Sequence, residues 1–336
     1  MERRLEFLDF ARGYAILTVV LYHLLQRFAL PPGAQQAIVF GGSGVHLFFL
    51  LSGFGLAFSG KKIDIAAFYK RRFLKIWLPF VIALSLSWAA AAAWGLFPDG
   101  WQAWLAGAAL YQMFSAEWME SFGGHFWFVS TILQFYLIYP LLDWSLKKAA
   151  RSWHFVAAAL LLSLAWWLLV WMYDKGAYRN WNSFFLQFLW EFALGMALAQ
   201  QFRLGNTPFA FLQQRWGWSF PLAVAGLALT VILQRFAGVT GKIFNDIPIL
   251  LAYSALCYGV FRVLKTWAPL LLRFLLWISG ISFALYLTHI LVLEIWFAVL
   301  RAWGIPPGLW SILPYFLPAL AAAWLFERLI RAMGLR

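Results

Sequence analysis

An arginine and a histidine bracket ten mostly apolar residues in the stretch RGYAILTVVLYH, which runs from Arg12 to His23. Eleven residues of α-helix turn through about three full turns and rise about 16 Å, so both side chains lie on one helix face near opposite ends of a membrane span. Ionisable residues inside spans usually face a bundle interior or a water-filled cavity. Arg12 has a local alternative, because Asp9 lies one turn away and can pair with it. The sequence places no comparable ion-pair partner near His23, so we expect this side chain to face a cavity.

Three further histidines fall in apolar segments that also carry polar residues. His46 lies within GGSGVHLFFLLSGFG, His125 within GGHFWFVSTILQFYLIYP and His289 within GISFALYLTHILVLE. A neutral imidazole can take the proton of an alcohol or amine that attacks an acyl group, and it can equally relay protons in a transporter. No H-x-x-x-H or H-E-x-x-H pair accompanies these histidines, so the sequence predicts no metal site.

Three other features each have two interpretations. The cluster of Arg71, Arg72 and Lys75 anchors a cytoplasmic helix end by the positive-inside rule, or it binds phosphates that arrive from the cytoplasm. Ser130 and Gln134 share one helix face, where they bridge to a neighbouring helix or contact a substrate. The glycines of GGSGVHLFFLLSGF indicate close helix packing more often than a helix break that lines a cavity.

The elements that must position these residues are predominantly hydrophobic. Of the 336 residues, 64% are hydrophobic and 12% are charged, which excludes an ordinary soluble domain. The stretch 101–114 is too short to cross a bilayer comfortably, and the distribution of basic loops favours a re-entrant or interfacial position for it. The predicted fold is all-α: one polytopic bundle of about ten transmembrane helices that forms a single domain over residues 1–336, with no soluble appended domain. The ten predicted spans lie near residues 7–28, 38–58, 74–96, 125–142, 153–173, 183–202, 216–236, 243–261, 274–300 and 309–330.

The charge of the chain predicts its orientation and its partners. It carries 26 Lys and Arg against 13 Asp and Glu, and a net charge of +13 would suggest a nucleic-acid partner for a soluble protein. In a membrane protein this excess serves orientation and contact with anionic lipids, so we expect lipid partners and no nucleic acid. If 101–114 does not cross, the strongly basic loops lie on one side, with both termini cytoplasmic. The start of the chain lacks a cleavable signal pattern, and the single Cys257 excludes an internal disulfide.

Five segments of the chain resemble, in order, the signatures of the membrane-bound acyltransferase family 3. LDFARGYAILTVVLYH is similar to the family's first-helix pattern Arg-x10-His, and GVHLFFLLSGFGL is similar to its second segment. FYKRRFLKIWLP resembles the basic third element, HFWFVSTILQFYLIYPLL the fourth, and GISFALYLTHILVL the late serine–tyrosine–histidine segment. The matches reach from about residue 5 to residue 295. Each match alone is weak, whereas five in the family's order are specific.

The resemblance implies a polytopic acyltransferase, commonly with ten core helices. Such proteins move an acyl group, usually acetyl, from cytoplasmic acyl-CoA to a hydroxyl of a carbohydrate or glycolipid that is often extracytoplasmic or lipid-linked, and we expect this one in a bacterial inner membrane. The resemblance also implies Arg12 and His23 as the essential catalytic pair, with His23 as general base, and acyl-CoA, with acetyl-CoA expected, as co-substrate without a metal. The donor phosphates are assigned to Arg71, Arg72 and Lys75. Substrate contact is assigned to the other polar residues of these segments: Asp9, His46, His125, Ser130, Gln134 and His289.

Departures from the family pattern leave the acceptor open. Lys75 replaces the last arginine of the family's Arg-x-x-Arg, which keeps the charge but loses the bidentate fork. His46 stands where the family often has an acidic residue, and Ile132 and Leu133 stand where many members have two glutamates. O-acylation and N-acylation share one mechanism and differ only in the nucleophile. An alternative of another class is a transporter or flippase for a glycan or lipid-linked precursor, in which His23 relays protons.

Overall fold

The computed structural model describes residues 6–60 and 63–335, and every regular element in these ranges is helical. This confirms the predicted all-α class. The α-helices, in chain order, are α1 (Glu6–Leu25), α2 (Pro32–Val39), α3 (Gly44–Phe58), α4 (Ile65–Trp94), α5 (Trp101–Ala108), α6 (Ala116–Met119), α7 (Trp127–Lys148), α8 (Ser152–Met172), α9 (Arg179–Asn182), α10 (Leu189–Arg203), α11 (Ala210–Gln214), α12 (Ser219–Ile243), α13 (Asp246–Trp267), α14 (Pro269–Gly280), α15 (Ser282–Ala302) and α16 (Ile312–Ala332). Short 3₁₀ segments lie at Phe40–Ser43, Tyr111–Phe114, Ser121–Gly123, Phe185–Phe188, Trp216–Trp218 and Leu309–Ser311.

Eight stretches of helix in the described ranges are long and apolar enough to cross a bilayer. They correspond to eight of the ten predicted segments and contain α1, α3, α4, α8, α12, α13, α15 and α16. The other two predicted segments form α10, which has 15 residues, and α7, which carries Lys147 and Lys148 in its last turn. A bundle of about ten spans therefore stays a prediction.

The stretch 101–114 is interrupted near its middle. Its helix α5 has eight residues, and Leu110 adopts a left-handed conformation (φ 59°, ψ 14°) just before the 3₁₀ segment Tyr111–Phe114. Eight residues of helix span about 12 Å, less than half of a hydrocarbon core of about 30 Å. The short helix agrees with the expectation that this stretch does not cross comfortably, whereas non-crossing itself and a re-entrant or interfacial position stay predictions.

One predicted boundary is wrong. Hydropathy predicts a single span over 274–300, whereas the structure ends α14 at Gly280 and begins α15 at Ser282. Ile281 lies between them with φ −114° and ψ 10°, outside helical geometry. Glycine is a poor helix former and a common helix terminator, and the apolar residues around it conceal the break from hydropathy. The 21 residues of α15 still suffice to cross a bilayer.

The chain divides into two compact units. The first unit contains the described residues of Met1–Val19, Phe40–Ile63 and Ile138–Gly280. The second unit contains the described residues of Val20–Val39, Asp64–Leu137 and Ile281–Arg336. Helices α1 and α7 contribute residues to both units, and the single domain predicted over the whole chain stays a prediction.

Helices α3 and α10 pack backbone to backbone in the first unit. A methyl group added at Gly53 would lie 2.1 Å from the carbonyl oxygen of Phe192, and one added at Gly195 would lie 2.0 Å from that of Leu50. No side chain fits at such distances, so the contact requires glycine at both positions. The close-packing interpretation of the glycines in the second segment is thereby confirmed for Gly53.

Hydrogen bonds from tryptophan side chains join α4 to the short helix α5 in the second unit. The indole N–H of Trp77 donates to the carbonyl of Ala108 at 2.8 Å, and that of Trp104 donates to the hydroxyl of Ser85 at 3.0 Å. Such bonds matter in a membrane protein, because little water is present in the bilayer to satisfy polar groups. These hydrogen bonds fix the position of α5, which is too short to be anchored in the bilayer by its own apolar residues.

Candidate functional site

Three of the predicted site residues lie together in the second unit. His23 is in the last turn of α1, His125 lies two residues before the start of α7, and His289 lies within α15. The ring centroids of His23 and His289 are 5.3 Å apart, and those of His125 and His289 are 5.1 Å apart. His125 and His289 are buried, and His23 is half-buried. We call these three residues the histidine cluster.

The hydrogen bonds of His289 determine which of its ring nitrogens is free. Its Nδ1 lies 2.7 Å from the carbonyl oxygen of Tyr286 and 3.1 Å from that of Leu285. A carbonyl oxygen only accepts, so Nδ1 carries the proton and Nε2 keeps its lone pair in the neutral ring. This Nε2 is buried and receives no hydrogen bond from the described residues. His289 therefore presents a proton acceptor in a protected position.

The backbone around the histidine cluster is held by two tyrosine hydroxyls. Tyr315 donates to the carbonyl oxygen of His289 at 2.9 Å, and Tyr286 donates to the carbonyl oxygen of His125. Both ring nitrogens of His125 are buried without a hydrogen-bond partner among the described residues. Buried polar atoms in native proteins nearly always have partners, so orphaned imidazole nitrogens indicate a place where a polar ligand or water binds.

The two polar residues of the fourth segment lie on α7 in the second unit. The hydroxyl of Ser130 is buried and accepts a hydrogen bond from the amide of Gln112 at 3.0 Å. Ser130 thus bridges to a neighbouring segment, which is one of the two roles open to it. Gln134 lies one turn further along and is half-buried. Substrate contact by these two residues stays a prediction.

The predicted donor-binding cluster lies near the start of α4 in the second unit. Arg71 and Lys75 are exposed, whereas Arg72 is half-buried, with its guanidinium carbon 5.9 Å from the ring centroids of both Phe68 and Tyr136. Among the described residues no carboxylate forms an ion pair with Arg71, Arg72 or Lys75. Aromatic faces hold a guanidinium without using its N–H donors. Arg72 is therefore positioned while its N–H groups stay available to an anion.

In the first unit, Arg12 forms the predicted ion pair with Asp9. Its Nη1 lies 3.2 Å from Oδ1 of Asp9, and the exposed fractions of the two side chains are 34% and 15%. A methyl group added at Gly55 on α3 would lie 3.5 Å from Nη2 of Arg12, so the glycine leaves space beside the guanidinium. The local pair is present, and about a third of the Arg12 side chain is exposed.

His46, the remaining predicted residue, joins a different group in the first unit. Its Nδ1 lies 2.6 Å from Oε1 of Glu191, and its Nε2 lies 4.0 Å from Oδ1 of Asp246. The amide of Gln187 donates to Oδ2 of Asp246 at 2.7 Å. Glu191 is fully buried, and Asp246 and Gln187 are buried. We call His46, Glu191 and Asp246 the acid cluster.

Glu191, Asp246 and Gln187 are not among the site residues predicted from the sequence. A signal for two of them was present, because Glu191 lies inside the apolar segment 183–202 and Asp246 inside 243–261, and an ionisable residue within a span is a functional candidate. In the described part of the chain, the acid cluster is the group of His, Cys, Asp and Glu donors that converges closely enough to hold a metal ion.

Comparisons with known proteins gave two matches. A family model described as an acyltransferase domain matches residues 5–328. Acyltransferase MdmB of Streptomyces mycarofaciens is 27% identical to this chain, in an alignment that covers 87% of this chain and 79% of that protein. No solved structure matches the chain.

Proposed function

The chain belongs to the acyltransferase family whose domain model spans residues 5–328, and we propose on this premise that it moves an acyl group from cytoplasmic acyl-CoA to a hydroxyl of an extracytoplasmic or lipid-linked carbohydrate. Its apolar helices make it an integral membrane protein. The histidine cluster is the observation that carries the proposal, because it offers buried imidazole nitrogens to a hydroxyl. Acetyl-CoA is the donor to test first.

In the proposed step, the hydroxyl oxygen of the acceptor attacks the carbonyl carbon of the thioester while the imidazole of His23 takes the hydroxyl proton. The tetrahedral intermediate then expels CoA as a thiolate. The thiolate receives the proton from the imidazolium, so the products are the acyl ester and free CoA thiol. His289 lies beside His23, and its free Nε2 suits it to orient the acceptor by accepting a hydrogen bond from a second hydroxyl of the carbohydrate, since the attacking hydroxyl gives its one proton to His23.

The donor is proposed to bind through cationic side chains. Arg71, Arg72 and Lys75 together offer three positive charges to the phosphates of CoA. The stacking of Arg72 over Phe68 and Tyr136 supports this role, because a held guanidinium loses less conformational freedom when it binds an anion. Arg12 is assigned to the acyl-CoA arm.

The proposal is tested with the purified protein in lipid nanodiscs, supplied with acetyl-CoA and a total extract of cell-surface glycolipids. Release of the CoA thiol is followed with a chromogenic thiol reagent. The protein contributes little background, because its single cysteine, Cys257, is buried. We expect thiol release that depends on the extract. A protein that binds acetyl-CoA without consuming it, yet moves a labelled glycolipid between leaflets, would support the transporter instead.

The proposed orientation places both termini in the cytoplasm of a bacterial inner membrane. Reporter fusions after residues 66, 148 and 210 should then read cytoplasmic, and fusions after residues 34, 118 and 178 should read external. The fusion after residue 118 is the informative one, because it follows the stretch 101–114. A cytoplasmic reading there, with an external reading after 148, would show that this stretch crosses the membrane and would contradict the proposed orientation.

A further inference from the structure

We propose that His46, Glu191 and Asp246 bind one divalent transition-metal ion, best matched by Zn²⁺, within the first unit. The proposal does not depend on acyl transfer. It departs from the sequence prediction of no metal, which rested on local His spacing. The three ligands come from α3, α10 and α13, so no short motif reveals them.

The donor atoms are nearly in place for coordination. One donor atom from each of the three side chains lies within 4.8 Å of those from the other two. In a tetrahedral site with metal–ligand bonds of about 2.0–2.2 Å, donor atoms are separated by about 3.3–3.6 Å. Small side-chain rotations therefore suffice to close the donors around an ion.

The charges of the acid cluster favour a dication. Among the described residues, His46 is the ion-pair partner of both Glu191 and Asp246, and it carries a positive charge only when protonated. A single imidazole neutralises at most one of two buried carboxylates, and buried charges in proteins are paired or coordinate metals. A dication bound by two carboxylates and a neutral imidazole gives a site with no net charge. The competing arrangement protonates the carboxyls and holds no metal.

Orphaned oxygen atoms give the second, independent reason. Oε2 of Glu191 is buried and has no hydrogen-bond partner among the described residues, and the same holds for Oε1 of Gln187. Buried oxygens of this kind are rare, and a bound cation would satisfy them. Gln187 also holds Asp246 through Oδ2 at 2.7 Å, which leaves Oδ1 facing His46. An amide that orients a ligating carboxylate is a common support of metal sites.

The ligand types select the metal class. An imidazole nitrogen with two carboxylates suits Zn²⁺ or another first-row ion, whereas Mg²⁺ and Ca²⁺ prefer ligand sets made only of oxygen. Among first-row ions, Zn²⁺ binds such sites more tightly than Mn²⁺ or Fe²⁺. The side chain of His46 is 14% exposed, which gives an ion a point of entry into an otherwise buried cluster.

The test uses the full chain in detergent, with its affinity tag removed. The protein is stripped with a chelator, loaded with Zn²⁺ and passed over a desalting column, and bound metal is measured by inductively coupled plasma mass spectrometry. We expect about one Zn²⁺ per chain in the wild type, and loss of the ion in Glu191→Gln and Asp246→Asn. His154→Gln is the matched control, because His154 is exposed on α8, and it should keep the ion. Zn²⁺ should also raise the melting temperature of the wild type and of the control but not of the two ligand variants.

Gln187→Leu keeps all three ligands and supplies the test if the ligand variants do not fold. We expect its Zn²⁺ affinity, measured by competition with a chelating dye, to fall about 10–100-fold. Three results would overturn the proposal: no Zn²⁺ retained by the wild type, equal retention by Glu191→Gln and the wild type, or loss of Zn²⁺ in His289→Gln but not in Glu191→Gln. No Zn²⁺ in the wild type would indicate that protons neutralise the two carboxyls. Loss of Zn²⁺ in His289→Gln alone would indicate that the metal binds at the histidine cluster.

Discussion

The histidine cluster of the second unit and the acid cluster of the first unit each contain two buried residues and one half-buried histidine, but the partners of their imidazoles differ. Nδ1 of His289 lies 2.7 Å from a backbone carbonyl oxygen, whereas Nδ1 of His46 lies 2.6 Å from a carboxylate oxygen of Glu191. A carbonyl fixes the tautomer of a neutral ring and leaves its other nitrogen as a base. Carboxylates add negative charge, which burial makes costly unless a cation balances it. The same residue type is thus suited to proton transfer in one unit and to ion binding in the other.

The largest expected effect comes from removing the proposed base. His23→Ala should lower acyl transfer by roughly 10²–10⁴-fold, the usual contribution of a general base, while membrane insertion and the melting temperature change little. His154→Ala is the control, because it removes an exposed histidine outside both clusters. The measurement is the rate of CoA thiol release by purified protein whose insertion has been verified. Equal rates for the two variants would remove His23 from the mechanism.

The next effect concerns the packing that places the acid cluster. Gly195 lies one turn after Glu191 on α10, at the close contact with α3. Gly195→Ala should lower the free energy of unfolding by about 1–3 kcal/mol, because the added methyl group meets the backbone of Leu50. Gly217→Ala in the same unit is the control, since a methyl group there meets no atom within 4 Å. Chemical denaturation of both variants in detergent gives the comparison, and equal stabilities would contradict the close contact.

A third effect separates donor binding from anchoring in the second unit. Charge reversal of Arg71 and Arg72 together should raise the KM for acyl-CoA about tenfold or more, since one charge-assisted hydrogen bond contributes about 1.5 kcal/mol or more. The KM for the acceptor should change less. Reversal of Lys147 and Lys148, an adjacent basic pair at the end of α7, is the control and should leave the donor KM unchanged. If the Arg71 and Arg72 variant inserts less well but keeps the same KM for acyl-CoA, the cluster anchors the helix end and does not bind the donor.

The smallest effect concerns the ion pair of the first unit. Asp9→Asn removes the carboxylate of the local pair with Arg12 and should lower the free energy of unfolding by only about 0.5 kcal/mol, because the two residues are one helical turn apart and the Arg12 side chain is partly exposed. Arg12→Lys keeps the charge and loses the planar fork, so a larger effect on the donor KM than on stability would indicate bidentate contact with the donor. Equal donor KM values for Arg12→Lys and the wild type would contradict that contact.

Much of the fold could be predicted from the sequence. Apolar runs of bilayer length must form helices, because a helix satisfies the hydrogen bonds of its own backbone in the absence of water. Eight such runs became candidate spans, and the short stretch 101–114 forms an α-helix of only eight residues. The break at Ile281 was not predicted, since hydropathy averages over a glycine that ends a helix. The exact ends of helices depend on single residues, and hydropathy averaged over a window of about twenty residues cannot locate them.

The two clusters were predictable to different degrees. His23, His125 and His289 were each named from the sequence, although their convergence needed the fold. The acid cluster was missed as a group, because its members are joined by tertiary packing across separations of 145 and 55 residues along the chain. The spacing of residues along the sequence can identify ligands that share one helix, but it cannot identify ligands that come from three different helices.

The central claim, acyl transfer by the histidine cluster, is tested most directly by following the acyl group itself. Purified wild type and His23→Ala are incubated with acetyl-CoA labelled in its acetyl group and with the glycolipid extract, and the acceptors are analysed by mass spectrometry. We expect the labelled acetyl mass on a carbohydrate hydroxyl with the wild type, and a yield lower by roughly 10²–10⁴-fold with His23→Ala under matched initial-rate conditions. No labelled acceptor with the wild type, or equal labelling by both proteins, would contradict the account.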